Sequence, residues 1–256
     1  MRGFLTAIRT LTILSVPGRE SEKFSSALPW FPFVGMILGG ILYGIGALWR
    51  MLPGAEWPFG GGALLLVASV FLTRGLHLDG LADWADAVGA CKGRPERLAI
   101  MKDPRLGTFG VVALILLLLT KWTGLTRVLS SDALIWVVPV WVIARDMMVE
   151  LATTLPYARP GEGTARPFME GASFQHRLRS HCFTLIVCLF FGPAGAILLA
   201  LGWGVTGLLK ASFKNFFGGI TGDLLGTTNE LVETVLLVIC AIPGECILDM
   251  TGWQWL

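Results

Sequence analysis

Six stretches of the chain run with few or no charged side chains: Pro29–Trp49, Trp57–Thr73, Leu106–Thr120, Ala133–Ala144, Cys182–Leu209 and Leu231–Leu248, the last interrupted by Glu233 and Glu245. A helix needs about 20 apolar residues to cross a bilayer, and several of these runs approach or exceed that length. Cys182–Leu209 is long enough for more than one span, with Gly192-Pro193 or Gly202–Gly207 as the break. The pattern predicts an all-α, polytopic membrane helix bundle with about six or seven transmembrane helices. Met1–Val16 carries Arg2 and Arg9 and has no small-residue cleavage site before Pro17. It predicts an amphipathic segment on the membrane surface or against the bundle, not a cleaved leader. No internal repeat or low-complexity linker is visible, so residues 1–256 are expected to form a single domain.

The polar segments between these runs alternate in basic content. The N-terminal segment holds Arg2, Arg9, Arg19 and Lys23; segment 74–105 holds Arg74, Lys92, Arg94, Arg97, Lys102 and Arg105; segment 145–181 holds Arg145, Arg159, Arg166, Arg177 and Arg179. Between them, 50–56 offers only Arg50, and 121–132 only Lys121 and Arg127. Lysine and arginine accumulate on the cytoplasmic side of membrane proteins, so the alternation predicts a cytoplasmic N-terminus in a cell (inner) membrane. If Cys182–Leu209 and its continuation to about Gly219 hold two spans, the connection 221–230 also faces the cytoplasm and the C-terminus ends outside. Every segment with chemistry-capable residues falls on one side, where a composite site is geometrically possible.

Composition agrees and narrows the classes of partner. The chain is 54% hydrophobic and 15% charged with a mean hydropathy of +0.68, whereas a soluble domain carries about a quarter charged residues. A net charge of +2 argues against a nucleic-acid partner. The cysteines at 91, 182, 188, 240 and 246 form no CxxC pair, and the three histidines are too scattered for a zinc site. Trp30, Trp49, Trp57, Trp122 and Trp253 stand near run ends as interfacial anchors.

Against that background, Gly75-Leu-His-Leu-Asp-Gly-Leu-Ala-Asp-Trp-Ala-Asp86 is anomalous. Asp79, Asp83 and Asp86 at i, i+4 and i+7 fall within roughly 60° of a helix face. Like charges so arranged repel one another, and near a bilayer they are costly to desolvate. Either the face is solvated or a cation sits among the carboxylates. Oxygen ligands without His or Cys point to a hard ion, with Mg²⁺ bridging to substrate phosphates as the default. The helix is expected to end near Gly89, with a short helix over Pro95–Met101. Downstream, Lys102 and Arg105 are either a positive-inside flank or phosphate ligands, and Gly107 and Gly110 leave backbone N–H groups approachable where the next span begins. In Gly218–Glu230, Asp223 and Glu230 share a face if the segment is helical; they extend the metal site, bind a ribose or amine, or simply belong to a capped helix start. Arg145-Asp146 reads equally as a structural pair or as ligands. Tyr157 and Arg159, in a Gly- and Pro-rich loop, suit a nucleotide.

These residues resemble the adenosylcobinamide-GDP ribazoletransferase family, the cobalamin (5′-phosphate) synthases. His77-Leu-Asp-Gly-Leu-Ala-Asp83 with Ala85-Asp86 is similar to its acidic signature, and Met101-Lys-Asp with Arg105-Leu-Gly-Thr-Phe-Gly110 to its second motif. Tyr157-Ala-Arg159 and Thr221-Gly-Asp-Leu-Leu-Gly226 with Asn229-Glu-Leu231 resemble two more, so the likeness runs over nearly the whole chain. Trp84, Pro104 and Ile13 depart from the pattern. The resemblance implies that the ribose 3′-hydroxyl of α-ribazole, or of its 5′-phosphate, attacks the cobinamide-bound phosphorus of adenosylcobinamide-GDP and releases GMP. It implies Asp79, Asp83 and Asp86 as catalytic or Mg²⁺-binding residues, with Asp223 and Glu230 completing the metal shell or binding ribose. Lys102, Arg105, Arg159, Gly107 and Gly110 fall to phosphate and nucleotide, and His77, Tyr157 and Asn229 to substrate. The expected partners are these small molecules and membrane lipid, with a homo-oligomer left open.

Two other readings compete. A CDP-alcohol phosphotransferase also uses an aspartate-rich helix and Mg²⁺, but its motif needs Arg where Asp83 stands. A cation-coupled transporter also keeps acids in the membrane, and Glu233 and Glu245 are the residues that speak for it.

Overall fold

In the computed structural model, which describes residues 2–243 apart from 54, 132, 160 and 162, helices form wherever the apolar runs are uninterrupted. The chain order is α1 (Arg2–Leu11), α2 (Phe31–Arg50), α3 (Pro58–Leu72), α4 (Leu76–Gly89), α5 (Arg94–Ile100), α6 (Thr108–Ser130), α7 (Val137–Thr154), α8 (Arg166–Met169), α9 (Phe174–Phe190), α10 (Gly192–Phe217) and α11 (Gly222–Ala241). Short 3-10 turns lead into α2 and α7. The architecture is all-α, and the chain is a polytopic membrane protein.

Four helical stretches are long and apolar enough to cross a membrane: Phe24–Arg50, Thr108–Ser130, Gly192–Phe217 and Gly222–Ala241. A fifth arises if α3 and α4, which meet at 89°, act as one broken span. The expected six or seven included two helices that fall outside this set. α9 has 17 residues, and α7 carries Arg145, Asp146 and Glu150. The long run at 182–209 breaks at the first of its two expected places, where Gly192 adopts φ +61°. The 89° bend is made by Arg74 and Gly75, both at positive φ. The bend turns α4 away from α3 and leaves it a polar helix outside the four spans. Glu245, Trp253 and the C-terminal end of the last run lie outside the described residues.

The interior is organised around α7 and α11. Fourteen of the 18 residues of α7 are buried, and α11 is buried over 78% of its most apolar window against 28% for α6. Small residues let the backbones approach closely, as membrane helix pairs require. A Cβ at Gly35 of α2 would collide with the Trp141 carbonyl of α7, and a Cβ at Gly80 of α4 with the Asp223 backbone of α11. About one turn along, a Cβ at Gly226 would stand 3.0 Å from the His77 Cα. Thr227 Oγ1 donates across this seam to the Gly80 carbonyl at 3.0 Å. α1 packs against the turn before α2 and buries Thr6, Ala7, Ile8 and Leu11, as an amphipathic segment should.

Buried charge is paired. Lys121 of α6 donates to Glu230 at 2.6 Å and to Glu233 at 2.5 Å, and Arg145 of α7 pairs with the other Glu233 oxygen. Lys121 and Arg145, counted above among the polar connections, therefore sit inside helices, 3% and 1% exposed. Arg145 and Asp146 do not pair with each other. Asp146 accepts from Ser180 at 2.5 Å and bonds His181 Nδ1 at 2.8 Å, and His181 Nε2 lies 3.3 Å from Glu150. Lys210 adds a 3.0 Å bond to Glu150. Burial disfavours the charged imidazole of His181, but the bonds to Asp146 and Glu150 outweigh it and raise its pKa from 6.5 to about 9. The hydrogen bond from His181, helped by Lys210 and Arg177, lowers Glu150 from 4.5 to about 2.

Two outcomes follow from this packing. Gly80→Leu is expected to destabilise the α4–α11 seam by the upper end of about 1–3 kcal/mol, because the obstacle is backbone and cannot move aside; thermal unfolding in detergent reads this. The raised pKa of His181 means that its contribution is complete below 6.5 and fades as pH rises through about 9. The depressed Glu150 contributes fully above 4.5 and fades as pH falls through about 2. Unfolding temperature should thus fall across the alkaline range in the wild type, and His181→Asn should flatten that limb.

Candidate active site

The seam between α4 and α11 gathers the acids. Because Gly80 and Gly226 let the two helices touch, Asp79 and Asp83 on α4 lie beside Asp223 in the first turn of α11. Asp83 registers this crowding. Burial, then the charges of Asp223 and Asp79, outweigh the opposing Arg159 and push its pKa from 3.8 to about 7. Asp79 is exposed at the mouth.

Arg159 reaches the cluster through a backbone device. Tyr157 and Ile220 form an isolated parallel bridge, with Ala158 N donating to the Ile220 carbonyl and Ile220 N to the Pro156 carbonyl, both at 2.9 Å. The loop after α7 is thereby held against the start of α11, where Thr221 caps the helix by accepting from Leu224 N. Arg159 Nη2 then donates to Asp223 at 2.7 Å and to the Met101 carbonyl at 3.2 Å.

Other expected site residues are placed differently. Asp86 accepts from Gly107 N at 2.7 Å and from Gly110 N at 2.8 Å, so its carboxylate occupies the helix N-terminus expected for a phosphate. Both positions are glycine for a steric reason: a Cβ at either would stand on the Asp86 carboxylate. Glu230 lies two turns below Asp223, about 10 Å along the axis, in the ion cluster with Lys121 and Glu233. Asn229 is fully buried and donates to Glu230 at 3.5 Å, away from the seam. Arg105 is exposed and clamps Asp103 at 2.6 Å, and Lys102 is exposed on the same loop. Tyr157 is half-buried, and its hydroxyl has no hydrogen-bond partner among the described residues. Lys121 and its bond to Glu230 were not foreseen; the only sequence signal was a lone lysine near a run end.

Among the described residues no three His, Cys, Asp or Glu side chains converge as a ready-made metal cage. What is present is a set of carboxylate oxygens from facing helices, crowded enough to hold Asp83 half-neutral near pH 7. That donor set fits a hard cation bound through one or two carboxylates and completed by waters and substrate phosphates, which is how Mg²⁺ is usually held.

Two clefts flank Asp223 and Arg159. One, of about 390 Å³, lies between α1, α2, α8 and the seam, with His77, Asp79 and Asp223 at one end. The second, of about 510 Å³, is lined by Tyr157, Arg159 and Arg166 with Leu155, Met169 and Glu170.

A family profile described as cobalamin-5-phosphate synthase matches residues 3–241. An adenosylcobinamide-GDP ribazoletransferase of Chlorobium phaeobacteroides is 44% identical over 251 residues, covering 96% of this chain and 100% of the relative. That of Prosthecochloris aestuarii is 42% identical, covering 91% and 95% of the two chains, and that of Syntrophobacter fumaroxidans 34%, covering 93% and 97%. No solved structure matches the chain. With this coverage at both ends and the acidic seam in place, the chain belongs to the adenosylcobinamide-GDP ribazoletransferase (cobalamin-5-phosphate synthase) family.

Proposed function

We propose that the family's transfer reaction takes place at the α4–α11 seam, with adenosylcobinamide-GDP as donor and α-ribazole or its 5′-phosphate as acceptor. A bond forms between the ribose 3′-oxygen and the cobinamide-bound phosphorus. The bond from that phosphorus to the bridging diphosphate oxygen breaks, and GMP departs with the electron pair. The hydroxyl proton passes to a carboxylate of the seam. Substitution at phosphorus depends on positioning and charge neutralisation, and the seam offers both. The observation that carries this reading is the meeting of Asp79 and Asp83 with Asp223, which Arg159 grips at 2.7 Å.

Asp79 and Asp83 would hold Mg²⁺, which supplies neutralisation of the donor diphosphate when bound. Arg159 stabilises charge on the departing GMP, and the cleft with Tyr157 and Arg166 is wide enough to take the nucleotide. Asp86 has a supporting role, fixing the start of α6 against α4. The alternation of basic segments supports a cytoplasmic-facing site in the cell (inner) membrane. Glu233, which spoke for an ion pathway, is neutralised by Lys121 and Arg145.

The test is product formation by the purified chain in proteoliposomes given adenosylcobinamide-GDP, α-ribazole and Mg²⁺. Cobalamin and GMP are expected in equal amounts, with activity lost in EDTA and restored by Mg²⁺. Asp79→Asn and Asp83→Asn should each lower kcat by about 10²-fold or more while the protein stays folded. Absence of product from folded wild-type protein would sink the reaction, and near wild-type turnover in both variants would sink the assignment of the acids. Asp86→Ala should behave otherwise, losing about 1–3 kcal/mol of stability in Mg²⁺-free buffer because two helix-end amides lose their acceptor.

A further inference from the structure

Apart from the two clefts at the seam, a groove of about 460 Å³ is lined by residues of α7, α9 and α10. Its polar end gathers Arg177 and His181 of α9 and Lys210 of α10 around one carboxylate, Glu150 of α7. Lys210 Nζ donates to Glu150 at 3.0 Å and His181 Nε2 lies 3.3 Å from it, while Arg177 Nη1 stands 3.7 Å away. The Arg177 guanidinium is not hydrogen-bonded among the described residues and lies over the Phe174 ring, 5.3 Å from its centroid. Asp146, the second acid of the set, is fully buried and is taken up by Ser180 and His181. Three basic side chains therefore share one accessible carboxylate, and the planar fork of Arg177 keeps its donors free for an acceptor.

The groove has a direction. α9 and α10 form a hairpin closed at Gly192, and the charged set sits toward its open end. Lys210 stands two turns, about 10 Å, before the end of α10, and Glu150 about one turn before the end of α7. Toward the closed end the polarity stops. Trp203 sets its ring against His181, 5.8 Å between centroids, and beyond it Leu185 and Leu189 of α9 and Ala196 and Ala200 of α10 are exposed. A Cβ at Gly207, on the groove wall, would meet nothing within 4 Å. Basic groups at the end of a spanning helix, above an apolar surface, match the two halves of a phospholipid, phosphate above and acyl chain below. A soluble anion would leave the apolar half without a partner. A zwitterionic headgroup brings an ammonium, which the surplus of cations repels.

We infer that the α9–α10 groove binds one anionic phospholipid of the surrounding bilayer. Arg177 and Lys210 donate to its phosphate oxygens, Glu150 holds Lys210 in place, and an acyl chain runs past Trp203 over Leu185 and Leu189. The site is separate from the α4–α11 seam and does not depend on the reaction proposed there.

Native mass spectrometry of the full chain in detergent, titrated with phosphatidylglycerol or phosphatidylethanolamine, tests the site. The wild-type protein should bind one phosphatidylglycerol about tenfold or more tightly than it binds phosphatidylethanolamine. Arg177→Gln and Lys210→Gln should each weaken phosphatidylglycerol about tenfold. Arg179→Gln, which removes an exposed cation of the same helix outside the groove, should leave binding unchanged. Gly207→Phe fills the groove from an open position and touches neither cation, so it should weaken the lipid as strongly while the protein stays folded. Inorganic phosphate at the same concentration should not displace the lipid from the wild type. Equal binding of the two lipids, an Arg179→Gln loss matching that of Arg177→Gln, full binding by Gly207→Phe, or displacement by inorganic phosphate would each overturn the site. A wild-type dimer that excludes the lipid would do the same, since a second copy would then be the occupant of the groove.

Discussion

The close approach of α4 to α11 is the constraint on which the site depends. Two carboxylates on one helix and a third on another come together only if the backbones nearly touch, and here the contact is made at Gly80 and Gly226. Any larger side chain at Gly80 would press on the Asp223 backbone and part the helices. The Thr227 hydroxyl then ties the seam through the Gly80 carbonyl. The meeting of the acids therefore rests on two positions that have no side chain. Glycine–glycine seams are a common way for membrane helices to pack, since lipid offers no hydrophobic gain for their association.

Close contact of like charges needs compensation, and the structure divides it between two levels. At the mouth, Arg159 answers Asp223, held there by the short bridge between Tyr157 and Ile220. Deeper, the same helix α11 carries Glu230 and Glu233, answered by Lys121 from α6 and Arg145 from α7. Breaking such a buried set by removing one partner leaves an uncompensated charge, so the deep cluster holds α6, α7 and α11 in one register. At the exposed mouth the acids are only partly compensated, with Arg159 the one basic group that opposes the crowding at Asp83.

Asp86 shows how a chemical motif divides into different jobs. Three aspartates at helical spacing read as one unit, and their geometry on α4 is as expected. Asp79 and Asp83 face α11, but Asp86 lies nearly two turns from Asp79 and meets the start of α6 instead, where two glycine amides take its oxygens. The glycines that suggested a phosphate cradle are cradling a carboxylate. An anion does bind at this helix end, as the exposed amides and helix dipole require. It is supplied by the protein.

What the chain alone determined was local: which segments are helical, where α4 stops, that α1 has one apolar face, and that the acids at 79, 83 and 86 are too many for a lipid-facing helix. These follow from periodicity and from the cost of charge near a bilayer, which operate within a few turns. The motif set was legible for the same reason, since its residues stand close together in sequence. Only the tertiary structure decided which acid faces which partner. Glu230 and Asp223 share a face by spacing, yet one meets Lys121 from 109 residues away and the other meets Arg159. No local rule contains those partners, because they depend on which helices touch and at what depth. The span count shows the same division. Apolarity marked α7 as membrane material, but its burial among α2, α9, α10 and α11 is what allows it to carry Arg145 and Asp146 inside the bundle.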